Sequence, residues 1–171
     1  VSTGFHGLSR LGLALLTSEK LPSEAQVSPE LINRAINAHK RPQPALTALK
    51  ALIACKPQST SWRAAGTDSS DGLIESIRGI CQSSNCQAVL SKSSFLKDPD
   101  WPKNQNWNKW ILCGGEDYEL ILCLPKKWAE TLSKQLKSAR IIGFMQKGKP
   151  KIFWDNLEEI NIDQLSVFQH F

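Results

Sequence analysis

No apolar stretch in this sequence approaches the roughly 18 residues that a membrane-crossing helix needs, so no segment reads as a bilayer span and no membrane partner is expected. No block of five like charges occurs, although the net charge is +5. The lysines are scattered, which points to a solvated basic surface. Attraction to phosphate-bearing small molecules comes next, and a nucleic-acid partner is not expected. No CxxC pair exists among the five cysteines, Cys55, Cys81, Cys86, Cys113 and Cys123. Their odd number and irregular spacing support neither a zinc site nor a redox motif, so reduced thiols and a cytoplasmic location are expected. Cys113 and Cys123 sit in apolar runs, where a thiol acts as a small hydrophobe. A phosphate-binding GxxxxGK loop, GxGxxG, HExxH and a nucleophile elbow are all missing, as are internal repeats and low-complexity segments. The opening "VSTGFHGLSR" has neither a signal-peptide pattern nor an initiating methionine, so it is expected to lie inside a longer protein.

What is present fits one globular domain of ordinary size. The 171 residues are 41% hydrophobic and 22% charged, enough to build a real core. Leu8, Leu11, Leu15 and Leu16 fall at helical spacing, with Ser9 as a cap. "SPELINRAINAH" predicts a helix capped by Ser28, with Pro29 in its first turn and Leu31, Ile32, Ala35 and Ile36 on its apolar face. A further helix is expected from about Ala45 to Cys55, with Leu46, Leu49 and Ile53 inward. "RAAGTD" predicts a short buried strand ending at Asp68, and the helix after it turns Leu73, Ile74, Ile77, Ile80 and Cys81 to the core. "CQAVL" predicts a second strand. Residues 91 to about 108, rich in proline and tryptophan, predict a surface loop or irregular insertion. "KKWAETLSKQLKS" is an amphipathic helix with Trp128, Leu132 and Leu136 inward, and "ARIIGFM" and "KIFWD" predict two strands joined by the turn "QKGKP". Helices and strands interleave, which predicts an α+β or α/β layered fold with a mixed β-sheet flanked by helices.

Two short stretches could carry chemistry. In "GTDSSDGL", Asp68 ends a strand, Asp71 and Gly72 begin a helix, and Ser70 lies between. That spacing directs two carboxylates and a hydroxyl at one point, with the amides of the first helical turn facing it. Adjacent carboxylates repel unless a cation lies between them. Magnesium takes one or two carboxylates and fills its shell with water and phosphate oxygens, so the pattern suits a nucleotide site. Ordinary helix capping by Ser70 or Asp71, with Asp68 exposed, fits the same spacing. In "CGGEDYELILCLP", Gly114 and Gly115 allow positive φ or the close approach of a ligand. Glu116 and Asp117 sit at a strand entrance, and Glu119 alternates outward. A solvated acidic turn fits equally. His39 and His170 read as surface or hydrogen-bonded histidines, and the tryptophans Trp101, Trp107, Trp110 and Trp154 as core packing rather than a stacking platform.

Taken together, "DSSDGL" followed some forty residues later by "GGEDYEL" resembles the C-terminal half of thiamine-monophosphate kinases. "TGFHGLSRLGLALL", "HKRPQP" and the closing "FQHF" extend the resemblance over nearly the whole chain. The resemblance implies an α/β/α layered domain like the C-terminal domain of aminoimidazole-ribonucleotide synthetase. It implies one domain over residues 1–171, with the N-terminal ATP-binding half absent from this chain. It further implies transfer of a phosphoryl group from ATP to thiamine monophosphate with Mg2+, and a homodimer for the full-length protein. Asp68 and Asp71 match metal-binding positions, Ser70 an ATP contact, Glu116 a substrate contact, and Phe168 an aromatic near the thiamine. No residue is matched to a catalytic role. The chain alone is expected to be inactive. Alternatives are a domain of a formylglycinamidine or selenophosphate synthetase, or a non-catalytic binding domain that retains acidic turns. Arg10 stands where the family usually has a small residue, Val167 replaces a glycine, and residues 98 to 110 have no counterpart.

Overall fold

The computed structural model of the protein describes residues 1–22, 26–95 and 97–161. Phe168, His170 and the rest of the "FQHF" ending lie outside the described residues. The elements in chain order are α1 (Leu8–Leu16), α2 (Pro29–Lys40), α3 (Leu46–Ala54), β1 (Ala65–Asp68), α4 (Leu73–Ser84), β2 (Cys86–Leu90), α5 (Asn108–Cys113), β3 (Leu120–Cys123), α6 (Lys126–Gln135), β4 (Gly143–Lys147) and β5 (Ile152–Trp154). The fold is α+β. Its mixed sheet has the order β4-β2-β5, with β2 antiparallel to β4 and parallel to β5. β1 and β3 form a separate antiparallel ladder in which Asp68 faces Leu120. Residues 1–3 add to that ladder's far side: Thr3 N–H donates to Leu120 O at 3.2 Å and Leu122 N–H to Val1 O at 2.8 Å, while Ser2 N–H reaches across to Arg140 O at 2.9 Å.

α2 forms for the reasons its sequence gives. The Ser28 hydroxyl accepts from Leu31 N–H at 3.1 Å, Pro29 starts the helix, and Leu31 and Ala35 are fully buried. α1 starts differently. Gly7 at φ 88° precedes it without a side-chain cap, and Ser9 lies buried inside the helix instead of capping it. Leu16 is exposed. In α3 the expected inward residues Leu46, Leu49 and Ile53 face solvent, at 62%, 44% and 54% exposure, and Ala48 and Leu52 are buried. The reason is the bulk of Trp128 from α6, whose indole N–H donates to Leu52 O at 3.0 Å. The helix turns its narrow Ala48–Leu52 side toward that ring.

One strand expectation needs correction, while the two strands expected on either side of "QKGKP" form as β4 and β5. β1 is not buried; all four of its residues are exposed. Its small residues serve close approach instead, since a Cβ on Gly66 would sit 2.8 Å from both Ile121 O and a Leu122 methyl. β4 and β5 are joined through "QKGKP" but do not pair, because β2, buried at Ala88, Val89 and Leu90, lies between them. The tryptophan-rich segment is an irregular insertion, one of the two forms expected for it, and it is not confined to the surface. Trp101 and Trp107 are buried with ring centroids 5.8 Å apart, edge to face, in one cluster with Leu11, Leu31, Ala35 and Ile111. Asp98 is buried and held by Arg34 through Nε at 2.9 Å and Nη2 at 2.7 Å, which clamps the segment to α2. All five cysteines are free. Among the described residues no helix is long and apolar enough to cross a membrane.

Candidate functional site

The turn after β1 is closed by its own polar groups. Asp68 Oδ1 accepts from Ser70 N–H at 3.2 Å and from the Ser70 hydroxyl at 2.8 Å. Gly72 N–H donates to Ser69 O at 3.1 Å. Gly72, at φ 96°, is the residue at the start of α4, and the Ser70 hydroxyl is turned to Asp68 rather than to the helix. Glycine is required there twice over. The φ is left-handed, and a Cβ would stand 3.0 Å from Gly114 O. Asp68, Ser70 and Asp71 are brought together on the lining of one cavity of about 420 Å³, alongside Glu75 and Arg78, which pair with each other. The donors there are carboxylate and hydroxyl oxygens, a set that suits a hard cation. Among the described residues no group of three or more His, Cys, Asp or Glu is placed to hold a metal. Two aspartates are what Mg2+ commonly takes from a protein when phosphate and water complete its shell.

The second acidic turn runs against the first. Its left-handed residues are Glu116 at φ 63° and Tyr118 at φ 53°, not the glycines. Gly114, at φ −67°, is needed because a Cβ would meet Trp110 O at 2.5 Å and Arg10 Cβ at 2.8 Å, so the close approach comes from the protein itself. Non-glycine residues in this conformation carry about 1 kcal/mol or more of strain each. Hydrogen bonds to the first turn hold them: Glu116 N–H donates to Ser70 O at 2.7 Å, and Glu119 N–H to Ser69 Oγ at 3.0 Å.

The three acids of this turn have three separate fates. Asp117 supplies the missing start of α1, accepting from Gly7 N–H at 2.7 Å and Ser9 N–H at 3.1 Å, with its side chain only 3% exposed. Glu119 does not point outward as its alternation suggested. It accepts from the Thr3 hydroxyl at 2.6 Å, and a Cβ on Gly4 would collide with its carboxylate. Glu116 is half-buried beside His39, whose Nδ1 lies 3.4 Å from Glu116 Oε2. The sequence reading missed Asp117 as a structural group and His39 as a neighbour of the site. The first was signalled by a helix that opens on glycine with no capping residue of its own.

Burial acts oppositely on two groups beneath this turn. It pushes the Asp117 carboxyl up to about 7, against the two backbone N–H bonds that favour the anion, and pushes His6 down to about 4. His6 Nε2 lies 2.7 Å from Ser2 Oγ, and its Nδ1 3.8 Å from Asp117 Oδ2. The raised carboxyl favours the fold fully below its ordinary 3.8, and that contribution fades as pH rises toward 7. The depressed imidazole favours the fold fully above 6.5, and that contribution fades as pH falls toward 4. Between those limits the two slopes oppose each other. In His6→Gln only the carboxyl slope remains, so the urea midpoint of the variant is expected to fall as pH rises from 4 to 7 while the parent changes less. Parallel profiles for the two proteins would contradict this.

No family model matches the chain. Curated relatives do. The thiamine-monophosphate kinase of Prochlorococcus marinus is 45% identical over 171 residues, covering all of this chain and 51% of the relative. That of Synechococcus elongatus is 37% identical over 175 residues, with the same coverage. The chain thus spans about half the length of the curated relatives it matches. Among solved structures, thiamine monophosphate kinase from Aquifex aeolicus matches at 26% identity and a TM-score of 0.68, over 93% of this chain and 50% of that one. AaThiL complexed with AMPPCP and TMP matches at 27% and 0.68, over 92% and 47%. On the ground of 45% identity along the full chain, together with a shared backbone, the chain belongs to the thiamine-monophosphate kinase family.

Proposed function

We propose that this chain supplies part of the metal, phosphate and substrate site of an enzyme that uses ATP to phosphorylate thiamine monophosphate to thiamine diphosphate. The observation that carries the reading is the 2.7 Å bond from Glu116 N–H to Ser70 O, which fixes the two acidic turns as one unit. A relative bound to AMPPCP and TMP supports the choice of ligands. Residues 1–171 act as one domain, and the greater part of the ATP site belongs to a half that this chain does not contain. Asp68 and Asp71 would hold Mg2+, which when bound offsets charge on the phosphate oxygens. Ser70 meets ATP near the phosphates, Glu116 meets thiamine monophosphate, and Phe168 is assigned to the thiamine although it lies outside the described residues. Free thiols fit a reducing cytoplasm, and the homodimer of the full-length enzyme rests on the family resemblance.

The chemistry needs no histidine base. The acceptor is a phosphate oxygen, mostly ionised near neutral pH because its second pKa is about 6. The protein's task is to bring two anions together in line, and the strapped turns provide fixed positions for doing so. The test is a fusion of residues 1–171 to the other half of the Prochlorococcus marinus relative, assayed for thiamine diphosphate with ATP and Mg2+. Turnover by the fusion and none by residues 1–171 alone are expected. An inactive but folded fusion would overturn the kinase reading, and turnover by the chain alone would overturn the claim that its site is partial.

A further inference from the structure

His39 sits at the end of α2, outside both acidic turns, yet α1 and α2 bring it to Glu116. The approach is set by Gly12, where a Cβ would stand 2.2 Å from Ala35 O and 2.8 Å from His39 Cβ. That closeness places His39 Nδ1 3.0 Å from Ser9 Oγ and 3.4 Å from Glu116 Oε2. The same Ser9 gives its backbone N–H to Asp117, the residue next to Glu116. The turn is therefore held from three sides: its backbone by Ser70 O, its next residue by the start of α1, and the Glu116 carboxylate by an imidazole. A half-exposed glutamate on a left-handed backbone has rotamer freedom that the hydrogen bonds of the turn do not remove. An imidazole nitrogen 3.4 Å from the carboxylate restricts it.

The geometry assigns His39 as a positioning residue for Glu116, with Nδ1–H lying between Ser9 Oγ and the carboxylate and aiming the latter at the substrate. This rests on the reading of Glu116 as a substrate contact; His39 itself touches no ligand in it. The proposal needs the Nδ1–H tautomer, because the other neutral form would only accept a bond from Ser9 and would set a lone pair against Glu116.

Two measurements decide it. In residues 1–171 labelled with 15N-histidine, long-range 1H–15N spectra are expected to show His39 protonated at Nδ1 at pH 8, and Glu116→Gln is expected to shift that nitrogen. In the fused enzyme His39→Leu is expected to raise KM for thiamine monophosphate about tenfold, the size expected for loss of one hydrogen bond to a charged group, with kcat and KM for ATP changed less than about twofold. His39→Asn, whose amide N–H stands near the place of Nδ1–H, is expected to recover most of the loss. An Nε2–H tautomer, an unchanged KM in His39→Leu, or a His39→Asn variant as impaired as His39→Leu would each overturn the assignment. Should the fusion be inactive, the kinase reading fails, and the spectra still decide whether His39 orients Glu116.

Discussion

Asp71→Asn in the fused enzyme is expected to lower kcat/KM at least about a hundredfold. Even outer-shell partners of a metal ligand cost roughly 10- to 100-fold when removed, and a direct ligand costs more. The substitution keeps the side chain's size and removes its charge at an exposed position. The turn itself is shaped elsewhere, by Gly72 at φ 96° and by its N–H bond to Ser69 O. A melting curve read beside the rate separates loss of the cation site from loss of the fold. Raising Mg2+ should restore part of the rate, since the loss is one of cation affinity. Asp68→Asn in addition weakens the acceptor of the Ser70 hydroxyl and N–H. Normal turnover in Asp71→Asn would remove the shared-cation assignment.

Gly12→Ala is expected to destabilise the chain by about 3 kcal/mol, at the upper end of ordinary overpacking costs. On an exposed helix the same change would gain up to about 1 kcal/mol in propensity. Here the added methyl would stand 2.2 Å from a backbone carbonyl oxygen, Ala35 O, which has no rotamer to yield. The two helices must separate, and the steric cost exceeds the propensity gain. Urea denaturation of residues 1–171 measures the difference; a neutral or stabilising effect would mean that α1 and α2 do not pack as closely as described. A separated pair also draws His39 away from Glu116, so KM for thiamine monophosphate should rise in Gly12→Ala as it does in His39→Leu.

Local signals were read well where they were strong. Ser28 followed by Pro29 marked the start of α2, and "CQAVL" marked the buried central strand. Asp68, Ser70 and Asp71 were expected around one point, and they line one cavity. What escaped depends on distant partners. The inward side of α3 is chosen by Trp128, and the anchoring of the segment that bears Trp101 and Trp107 by the Arg34–Asp98 clamp to α2, although the two rings themselves read as core. The placement of β2 between β4 and β5 leaves no trace in the turn that joins them. Glu119 looked outward because alternation describes a strand facing water, and Thr3, far earlier in the chain, was waiting for it. Asp117 was taken as one of a surface pair, whereas it completes a helix that begins at residue 8.

Residues 1–3 sit between residue 140 on one side and residues 120–122 on the other. Residues 1–3, then, have no place to settle until residues 120–140 have been made. Closing loops of that length is slow compared with forming helices. The second acidic turn, anchored through Glu119 to Thr3 and through Asp117 to Gly7, is assembled only when segments 116 and 110 residues apart in sequence meet.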